Sequence, residues 1–276
     1  MSRTIIYFVS AMFVLLLTFV ALGLSANRFR ILEVEISPIN SAPLTGLSGY
    51  TFALVSDPHL RDEPKAWGSW SNVIQRVNES MANYVLLLGD YTEEVLSDAE
   101  LEVFRAKFIE SLDSFTVRPI LVLGNHETWN DREAWYTALK SAGANVLENE
   151  SMLVEGTHPL CVIGVGDAYT GFAEKKSYGA ACKDVPSLTI THDPAAAFNL
   201  QGSGLWFAGH THCGQITLPI IDPLWVPSTA PKQAQCGYYE DASKSLFVSS
   251  GIGSSVLPIR FYAPSQVEML TIKWNQ

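Results

Sequence analysis

The sequence is poor in positive charge. Its 276 residues include 18 Lys and Arg against 28 Asp and Glu, which gives a formal net charge of −10. A protein that holds nucleic acid by neutralising phosphates usually carries the opposite balance, so nucleic acid is an unfavoured partner, although a nuclease stays open as an alternative. Charged residues of both signs make up only 17% of the chain and apolar residues 47%. This composition excludes global disorder.

Cysteine is also scarce. The four cysteines form no CxxC pair, so the sequence predicts neither a zinc ribbon nor a dense disulfide scaffold. They are Cys161, Cys182, Cys213 and Cys236. A bond between Cys182 and Cys236 is one hypothesis for a domain in an oxidising compartment, and the sequence alone does not show whether the two are close.

No charged residue occurs from residue 5 to residue 26. As a helix this segment is about 33 Å long, enough to cross a hydrocarbon core of about 30 Å. We predict a single-pass, uncleaved membrane anchor over residues 1–27 and a cell-membrane location. A cleaved signal peptide is the alternative, because Ala21-Leu22-Gly23 fits a cleavage site. Basic residues flank the segment on both sides, which leaves the side of the membrane undetermined; they are Arg3, Arg28 and Arg30.

Residues 28–49 are predicted to be a linker with a short strand. Apolar and charged side chains alternate over residues 31–36, as in a half-buried strand, and residues 38–49 are rich in Pro, Gly and Ser. From residue 50 the pattern becomes regular and continues to the end of the chain. The sequence therefore predicts one further domain, over residues 50–276.

Short apolar runs that each end in a small or polar cluster organise this domain. They cover residues 51–56, 84–88, 119–123, 188–191 and 205–208. Between the first three lie helical patterns: residues 70–81, a helix opened by Ser97 with Glu100 as a capping box, and residues 131–142 before Gly143. Apolar strands that alternate with helices predict an α/β fold whose sheet is covered on both faces. In such folds ligands bind beyond the carboxyl ends of the strands.

Chemically active side chains follow these runs. They are Asp57, His59, Asp90, Asn125, His126, His192, His210 and His212. Oxygen and nitrogen ligands of this kind suit divalent cations and require no thiolate. One carboxylate can bridge two cations, and two cations about 3.5–4 Å apart can clamp a phosphoryl group. The ordered set therefore predicts a two-metal phosphate site. His158 lies outside the pattern, and we interpret it as solvated.

The motifs Asp57-Pro58-His59, Gly89-Asp90, Gly124-Asn125-His126-Glu127, His192 and Gly209-His210-Thr211-His212 resemble those of the calcineurin-like metallophosphoesterases. The resemblance covers roughly residues 50–274. Residues 209–215 and 250–255 are similar to one branch, the membrane-associated bacterial phosphodiesterases that include UDP-diacylglucosamine pyrophosphatases. The sequence departs from the family at Pro58 and at Cys213, which replaces a usual Gly. Cys213 is either a redox-sensitive thiol or a small residue that fills space.

The resemblance implies two packed mixed β-sheets flanked by helices, and two divalent metal ions. The implied ligands are Asp57, His59 and His212 for the first ion, Asp90 as the bridge, and Asn125, His192 and His210 for the second. His126 is implied to contact the phosphate without ligating a metal, where it stabilises charge or protonates the leaving oxygen. Asn125 is implied to serve both a metal and a phosphate oxygen. Mn, Fe, Zn and Mg all accept such ligands, and Mn is favoured.

The predicted function is therefore hydrolysis of a phosphodiester or pyrophosphate bond by a membrane-anchored enzyme, with a lipid-linked substrate such as a UDP-diacylglucosamine. The alternatives are a phosphomonoesterase, a nucleotidase, a nuclease, or a catalytically silent metal-binding scaffold. The scaffold is disfavoured because every ligand position is filled.

A proline-rich apolar segment, residues 216–226, follows the last site histidine and is predicted to be a stiff loop near the metals. Two readings stay open. Its side chains pack into the core, or they form an apolar lip for acyl chains, with Trp225 at the membrane interface. Trp67, Trp70 and Trp129 are predicted to line the same opening.

Overall fold

The computed structural model of the chain describes residues 3–25, 28–38, 46–93, 95–156, 159–174, 182, 185–219, 221, 223 and 225–273. Its helices are α1 (Arg3–Leu24), α2 (Pro64–Glu79), α3 (Asp98–Leu112), α4 (Asn125–Trp129), α5 (Arg132–Ser141) and α6 (Ala195–Asn199). Its strands are β1 (Arg30–Ile36), β2 (Thr51–Val55), β3 (Tyr84–Leu87), β4 (Ile120–Leu121), β5 (Asn145–Val146), β6 (Glu150–Val154), β7 (Leu160–Gly164), β8 (Ser187–Ile190), β9 (Gly204–Ala208), β10 (Gly237–Glu240), β11 (Lys244–Val248) and β12 (Gln266–Ile272).

The strands form two mixed sheets. The first has the order β1-β12-β2-β3-β4-β5, and the second β10-β11-β9-β8-β7-β6. In the first sheet β2, β3, β4 and β5 run parallel, and β12 is antiparallel to β2. In the second sheet β7, β8, β9 and β11 run parallel between the antiparallel edge strands β6 and β10. The two sets of parallel strands bring their carboxyl ends to one side of the molecule.

The core lies between the sheets. Alternate residues of the central strands point into it, among them Phe52 and Leu54 of β2 and Phe207 of β9. A second apolar layer joins the outer face of the first sheet to α2, α3 and α5, and a third joins the outer face of the second sheet to α6. This confirms the predicted fold of two packed mixed sheets flanked by helices. The site is thus held between two rigid layers.

Local signals explain where the helices begin and end. The carboxylate of Glu100 accepts the backbone N–H of Ser97 at 3.1 Å, as the predicted capping box requires. Asp131 caps α5 by accepting the N–H of Ala134, and Gly143 follows α5 with φ of 73°. The helical pattern predicted over residues 70–81 is wrong at its end, because α2 ends at Glu79 and the side chain of Met81 beyond it is exposed.

The tryptophans of α2 do not line an opening. Trp67 and Trp70 are buried, and their rings pack on Phe104 and Phe108 of α3. That prediction is wrong because the two side chains are three residues apart and share the helix face that covers the first sheet. Trp129, in contrast, is half-exposed at the end of α4.

The four cysteines form two disulfides, Cys161–Cys182 and Cys213–Cys236, and none is free. The hypothetical bond between Cys182 and Cys236 is therefore wrong. Cys213 is neither a redox-sensitive free thiol nor a mere space-filling residue. Its bond ties the turn that carries His212 to the segment before β10. Sequence spacing carries no information on which loops meet across the sheet ends, so these pairings were not predictable from it.

The N-terminal helix α1 is long and apolar enough to cross a membrane, with a mean hydropathy of 2.7 over its candidate span Ile5–Leu24. A signal sequence near the N-terminus can also be this long and apolar. The described side chains of this span are exposed except at Gly23. Strand β1, from the segment predicted as a linker, follows α1 and forms an edge of the first sheet, in parallel register with β12.

Candidate metal centre

The predicted site residues converge on the carboxyl ends of the parallel strands. Asp57 and His59 follow β2, Asp90 follows β3, and Asn125 and His126 begin α4 after β4; His192 follows β8, and His210 and His212 follow β9. The structure therefore brings together all eight residues, from both sheets. All eight are buried.

The backbone at this point is strained. Several of the site residues have a positive φ, which is uncommon for any residue other than glycine; they are Asp57, His59, Asp90, His210 and His212. Such conformations cost free energy and cluster at functional sites, where they aim a side chain. Here they turn the side chains inward from the strand ends.

The glycines of the motifs permit the close approach of these strand ends. A Cβ on Gly89, whose φ is 96°, would lie 2.7 Å from Nδ1 of His192. A Cβ on Gly209 would lie 2.7 Å from Oδ2 of Asp57. Real Cβ atoms do not reach such distances, so a side chain at either position would force the strand ends apart.

Asp57, His59 and His212 form one cluster. Nε2 of His59 lies 2.9 Å from Nε2 of His212, and Oδ1 of Asp57 lies 3.5 Å from the same His212 nitrogen. The backbone N–H of His210 donates to both Asp57 carboxylate oxygens at 3.1 Å and so fixes the carboxylate. The ligand atoms of this cluster lie within 4.8 Å of one another.

Asp90, His192 and His210 form a second cluster of the same span. Nε2 of His192 lies 3.2 Å from Oδ2 of Asp90, 3.1 Å from Nδ1 of His210 and 3.1 Å from Oδ1 of Asn125. The two clusters meet at Asp90, because its Oδ2 also lies 3.6 Å from Nε2 of His59. One carboxylate oxygen is therefore shared between them.

Three of the histidines contact a hydrogen-bond acceptor through the ring nitrogen that points away from the clusters. Nδ1 of His192 donates to the carbonyl oxygen of Leu88 at 2.6 Å, and Nε2 of His210 donates to the carbonyl oxygen of Pro227. Nδ1 of His59 lies 2.7 Å from a carboxylate oxygen of Glu93. In each case the outer nitrogen faces an acceptor and the inner nitrogen is left toward the cluster. This is the arrangement that orients metal-ligating histidines in proteins.

Burial and the neighbouring charges shift the pKa values of the site side chains in different directions. Burial lowers the pKa of His212, and the neighbouring His59 and the Arg260 guanidinium, 2.8 Å from its Nδ1, lower it further. Its pKa lies well below the ordinary value, so the ring is neutral. Burial opposes the charge of both Asp90 and His192, but their mutual attraction prevails: the pKa of Asp90 lies well below its ordinary value and that of His192 well above.

His126 belongs to neither of these two clusters, although its ligand atom and those of His59 and Asp90 also lie within 4.8 Å of one another. Its Nε2 is 3.9 Å from Oδ2 of Asp90, and its ring packs edge-on to His59 and against Trp129. Burial lowers the pKa of His126, and His59 lowers it further against the attraction of Asp90. The ring is thus neutral and faces the shared carboxylate from one side.

Sequence reasoning missed the residues that support the site. Glu127 was quoted within a motif without a role, yet its carboxylate accepts the backbone N–H groups of Asp90, Tyr91 and Gly124. Glu93, which orients His59, lies three residues after Asp90, and that spacing was the only signal for it. Tyr169 was also missed; its half-exposed ring packs on His210.

The donor set fits divalent cations. It combines carboxylate oxygen, amide oxygen and imidazole nitrogen and contains no thiolate, since the neighbouring Cys213 is in a disulfide. Two Asp/His clusters that share a carboxylate, set between two sheets at their carboxyl ends, define the class of metal-dependent hydrolases with a paired metal site.

Comparison with known proteins agrees with this class. The profile of the calcineurin-like phosphoesterase family matches residues 50–214. The uncharacterized metallophosphoesterase YkuE of Bacillus subtilis is 25% identical over 83% of this chain and 80% of its own length. Phosphodiesterase YaeI of Escherichia coli is 26% identical over 70% of this chain and 72% of its own. An uncharacterized metallophosphoesterase of Helicobacter pylori is 28% identical over 72% of this chain, which spans 54% of that relative's length.

The chain belongs to the calcineurin-like phosphoesterase family. It is accordingly a hydrolase of phosphoric esters whose Asp and His groups are suited to divalent metal ions.

Proposed function

We propose that this chain hydrolyses a phosphodiester or pyrophosphate bond with two divalent cations. The observation that carries the proposal is the position of Asp90, whose Oδ2 lies 3.6 Å from His59 and 3.2 Å from His192. Asp57, His59 and His212 would hold one cation, and Asn125, His192 and His210 the other, with Asp90 between them. When bound, the cations neutralise the phosphoryl oxygens and activate a water. Among the metals this donor set accepts, Mn is the one we favour.

The remaining residues position the substrate. His126 faces Asp90 from outside the clusters, with a lowered pKa that favours the neutral ring. A neutral imidazole holds one proton, which it would donate to a phosphoryl oxygen as charge develops there. Asn125, whose Oδ1 faces His192, would present its amide N–H₂ to another oxygen. His126 and Asn125 are thus the proposed catalytic residues.

We also propose that α1 is a retained membrane anchor and that the catalytic domain lies on the non-cytoplasmic side. The span Ile5–Leu24 supports the anchor by its length, mean hydropathy and exposure. The disulfides Cys161–Cys182 and Cys213–Cys236 support the side, because such bonds persist in oxidising compartments and are rare in the cytosol.

The side can be tested by counting thiols. Full-length protein from its native membrane, denatured with alkylating reagent present and no reductant, should show no free thiol. After reduction it should show all four cysteines. Four free thiols before reduction would place the domain in a reducing compartment.

We further propose that the substrate is linked to a lipid. In the segment after His212 four large apolar side chains are exposed rather than packed in the core, while Val226 is partly buried; the four are Ile216, Leu218, Ile221 and Trp225. Residues 220, 222 and 224, which belong to the same predicted lip, lie outside the described residues, as does His158. Exposed apolar side chains beside a phosphoesterase site suit an acyl chain, and this supports a lipid-linked phosphodiester or pyrophosphate over a soluble nucleotide.

The substrate proposal predicts a split between KM and kcat. Replacing Ile221 and Trp225 together with Ser should raise KM for an acylated phosphodiester by about tenfold or more, since two large apolar side chains contribute roughly 1.5–3 kcal/mol each when buried. Hydrolysis of a small aryl phosphodiester should be unchanged. Val103→Ser, an exposed position on α3, is the matched control. Equal losses on both substrates would show that the loop is structural, and activity on DNA instead would favour the nuclease.

A further inference from the structure

The last turns of α1 pack against the catalytic domain. The ring of Phe19 lies 5.6 Å from that of Phe261 and 5.2 Å from that of Tyr262, between ring centroids. The Tyr262 hydroxyl donates to the carbonyl oxygen of Phe19 at 3.1 Å, and its backbone N–H donates to that of Gly23 at 3.2 Å. The carbonyl of Gly23 is one of the last four of the helix, which lack partners within it. The domain therefore supplies the cap of the apolar helix.

Gly23 makes this contact possible. It is the buried residue of the described span, and any Cβ at this position would collide with the ring of Phe261. A larger apolar residue here would preserve the helix and its hydropathy and push the domain away.

The contact with α1 also fixes how close the catalytic domain lies to the membrane. Phe19 lies five residues before the end of α1, which corresponds to roughly 8 Å along the helix axis at about 1.5 Å per residue. An apolar span needs about 20 residues to cross the hydrocarbon core, so all of Ile5–Leu24 is used. Phe261 and Tyr262 reach alongside its last turns. The domain therefore cannot stand clear of the membrane on a flexible tether.

The segment that docks on α1 is tied to the apolar loop beside the metal centre. Phe261 donates its backbone N–H to the carbonyl oxygen of Gln215 at 2.9 Å and accepts that of Thr217 at 2.9 Å. The Gln215 side chain in turn bonds the backbone of Ser255 and Leu257. These two backbone segments carry a set of exposed apolar side chains, which we call the apolar collar: Ile216, Leu218, Ile221, Trp225, Val256 and Leu257.

The backbone holds the side chain of Val256, at the tip of the collar, in solvent. It is 84% exposed, and its φ is 62°, a conformation that a β-branched residue rarely adopts. Its backbone N–H donates to Glu93 at 3.0 Å, and Glu93 contacts His59 with its other carboxylate oxygen. One carboxylate thus holds both a site histidine and the tip of the collar. The collar and the metal centre are thus joined through one side chain.

We propose that the apolar collar inserts into the interface of the lipid bilayer that α1 spans, so that the mouth of the metal centre opens against lipid head groups. The partner is a phospholipid surface. This inference rests on the proposed anchoring by α1 and goes beyond it, because a tether alone would leave the collar in water. Trp225 and the neighbouring aliphatic side chains are the kind that lie at the boundary of head groups and acyl chains.

The collar can be probed with single thiols, since none of the native cysteines is free. The full chain with Val256→Cys or Ile221→Cys is labelled with an environment-sensitive fluorophore and reconstituted in phosphatidylcholine vesicles that contain a nitroxide-labelled lipid. Emission should fall more than about twofold at both positions, because interfacial residues lie about 5–10 Å into the boundary of head groups and acyl chains. Met81→Cys is the matched control, because Met81 is also 84% exposed and lies in the turn after α2, and its emission should not change.

A second change isolates the helix contact. Adding Gly23→Leu to the labelled Val256→Cys protein should reduce quenching to the level at Met81, while Ala21→Leu should leave it intact. Quenching at Val256 and Ile221 no greater than at Met81 would overturn the inference. Retention in the membrane fraction after a high-salt wash reports the anchor separately, and hydrolysis of a small aryl phosphodiester reports the chemistry. If both hold and quenching is absent, only the collar inference fails; if the protein washes off, the anchor and the inference fail together.

Discussion

Replacement of Asp90 by Asn should lower kcat for a small aryl phosphodiester by more than about a hundredfold, or about 2.7 kcal/mol of barrier. Asp90 lies between the two clusters, with its Oδ2 3.2 Å from Nε2 of His192 and 3.6 Å from Nε2 of His59. A neutral amide of the same shape bridges two cations poorly and no longer screens their mutual repulsion.

The matched control for this change is Asp113→Asn, which removes the same charge from an exposed position at the end of α3. It should leave kcat unchanged. Metal content, measured by elemental analysis of the purified full chain, should fall in the Asp90 variant and not in the control. Activity of the Asp90 variant within about tenfold of the parent would mean that Asp90 does not bridge.

Replacement of His126 by Ala should lower kcat by about 10²–10⁴ while both metal ions are retained. Nε2 of His126 lies 3.9 Å from Oδ2 of Asp90. Among the described residues no carbonyl or carboxylate oxygen bonds the His126 ring on its far side, unlike the rings of His59, His192 and His210. Its proposed role is toward the phosphate. The His126 variant should therefore lose activity without losing metal.

His192→Ala provides the contrast, because its Nε2 lies among Asp90, His210 and Asn125. This variant should lose metal and activity together. Loss of metal in the His126 variant as well would make His126 a ligand and contradict the assignment.

Most of the fold, and the convergence of the eight predicted residues, were predictable because a strand end leaves a strong local signal. An apolar run followed by a small residue and then Asp, Asn or His occurs at β2, β3, β4, β8 and β9, and the parallel order of strands then brings these ends together. The capping box at Ser97 and the stop at Gly143 are likewise local, and both predictions are confirmed.

The remaining features depend on which distant segments meet, and local pattern does not encode that. Cys213 pairs with Cys236 because the turn after β9 passes the segment before β10, and the hypothetical partner Cys182 lies against β7 instead. Trp67 and Trp70 have the spacing of either a buried face or an aromatic rim, and packing on α3 decided for burial. The contact between Glu93 and His59 could not be predicted from the sequence, because it depends on where both side chains lie in the fold.

We propose that a pair of cations shares Asp90. The most direct test is anomalous diffraction from crystals of the full chain grown with Mn, which locates the bound ions. Two anomalous peaks should appear about 3.5–4 Å apart, on either side of the Asp90 carboxylate, one beside Asp57 and His212 and the other beside His192 and His210. A single peak, or two peaks that do not flank Asp90, would contradict it.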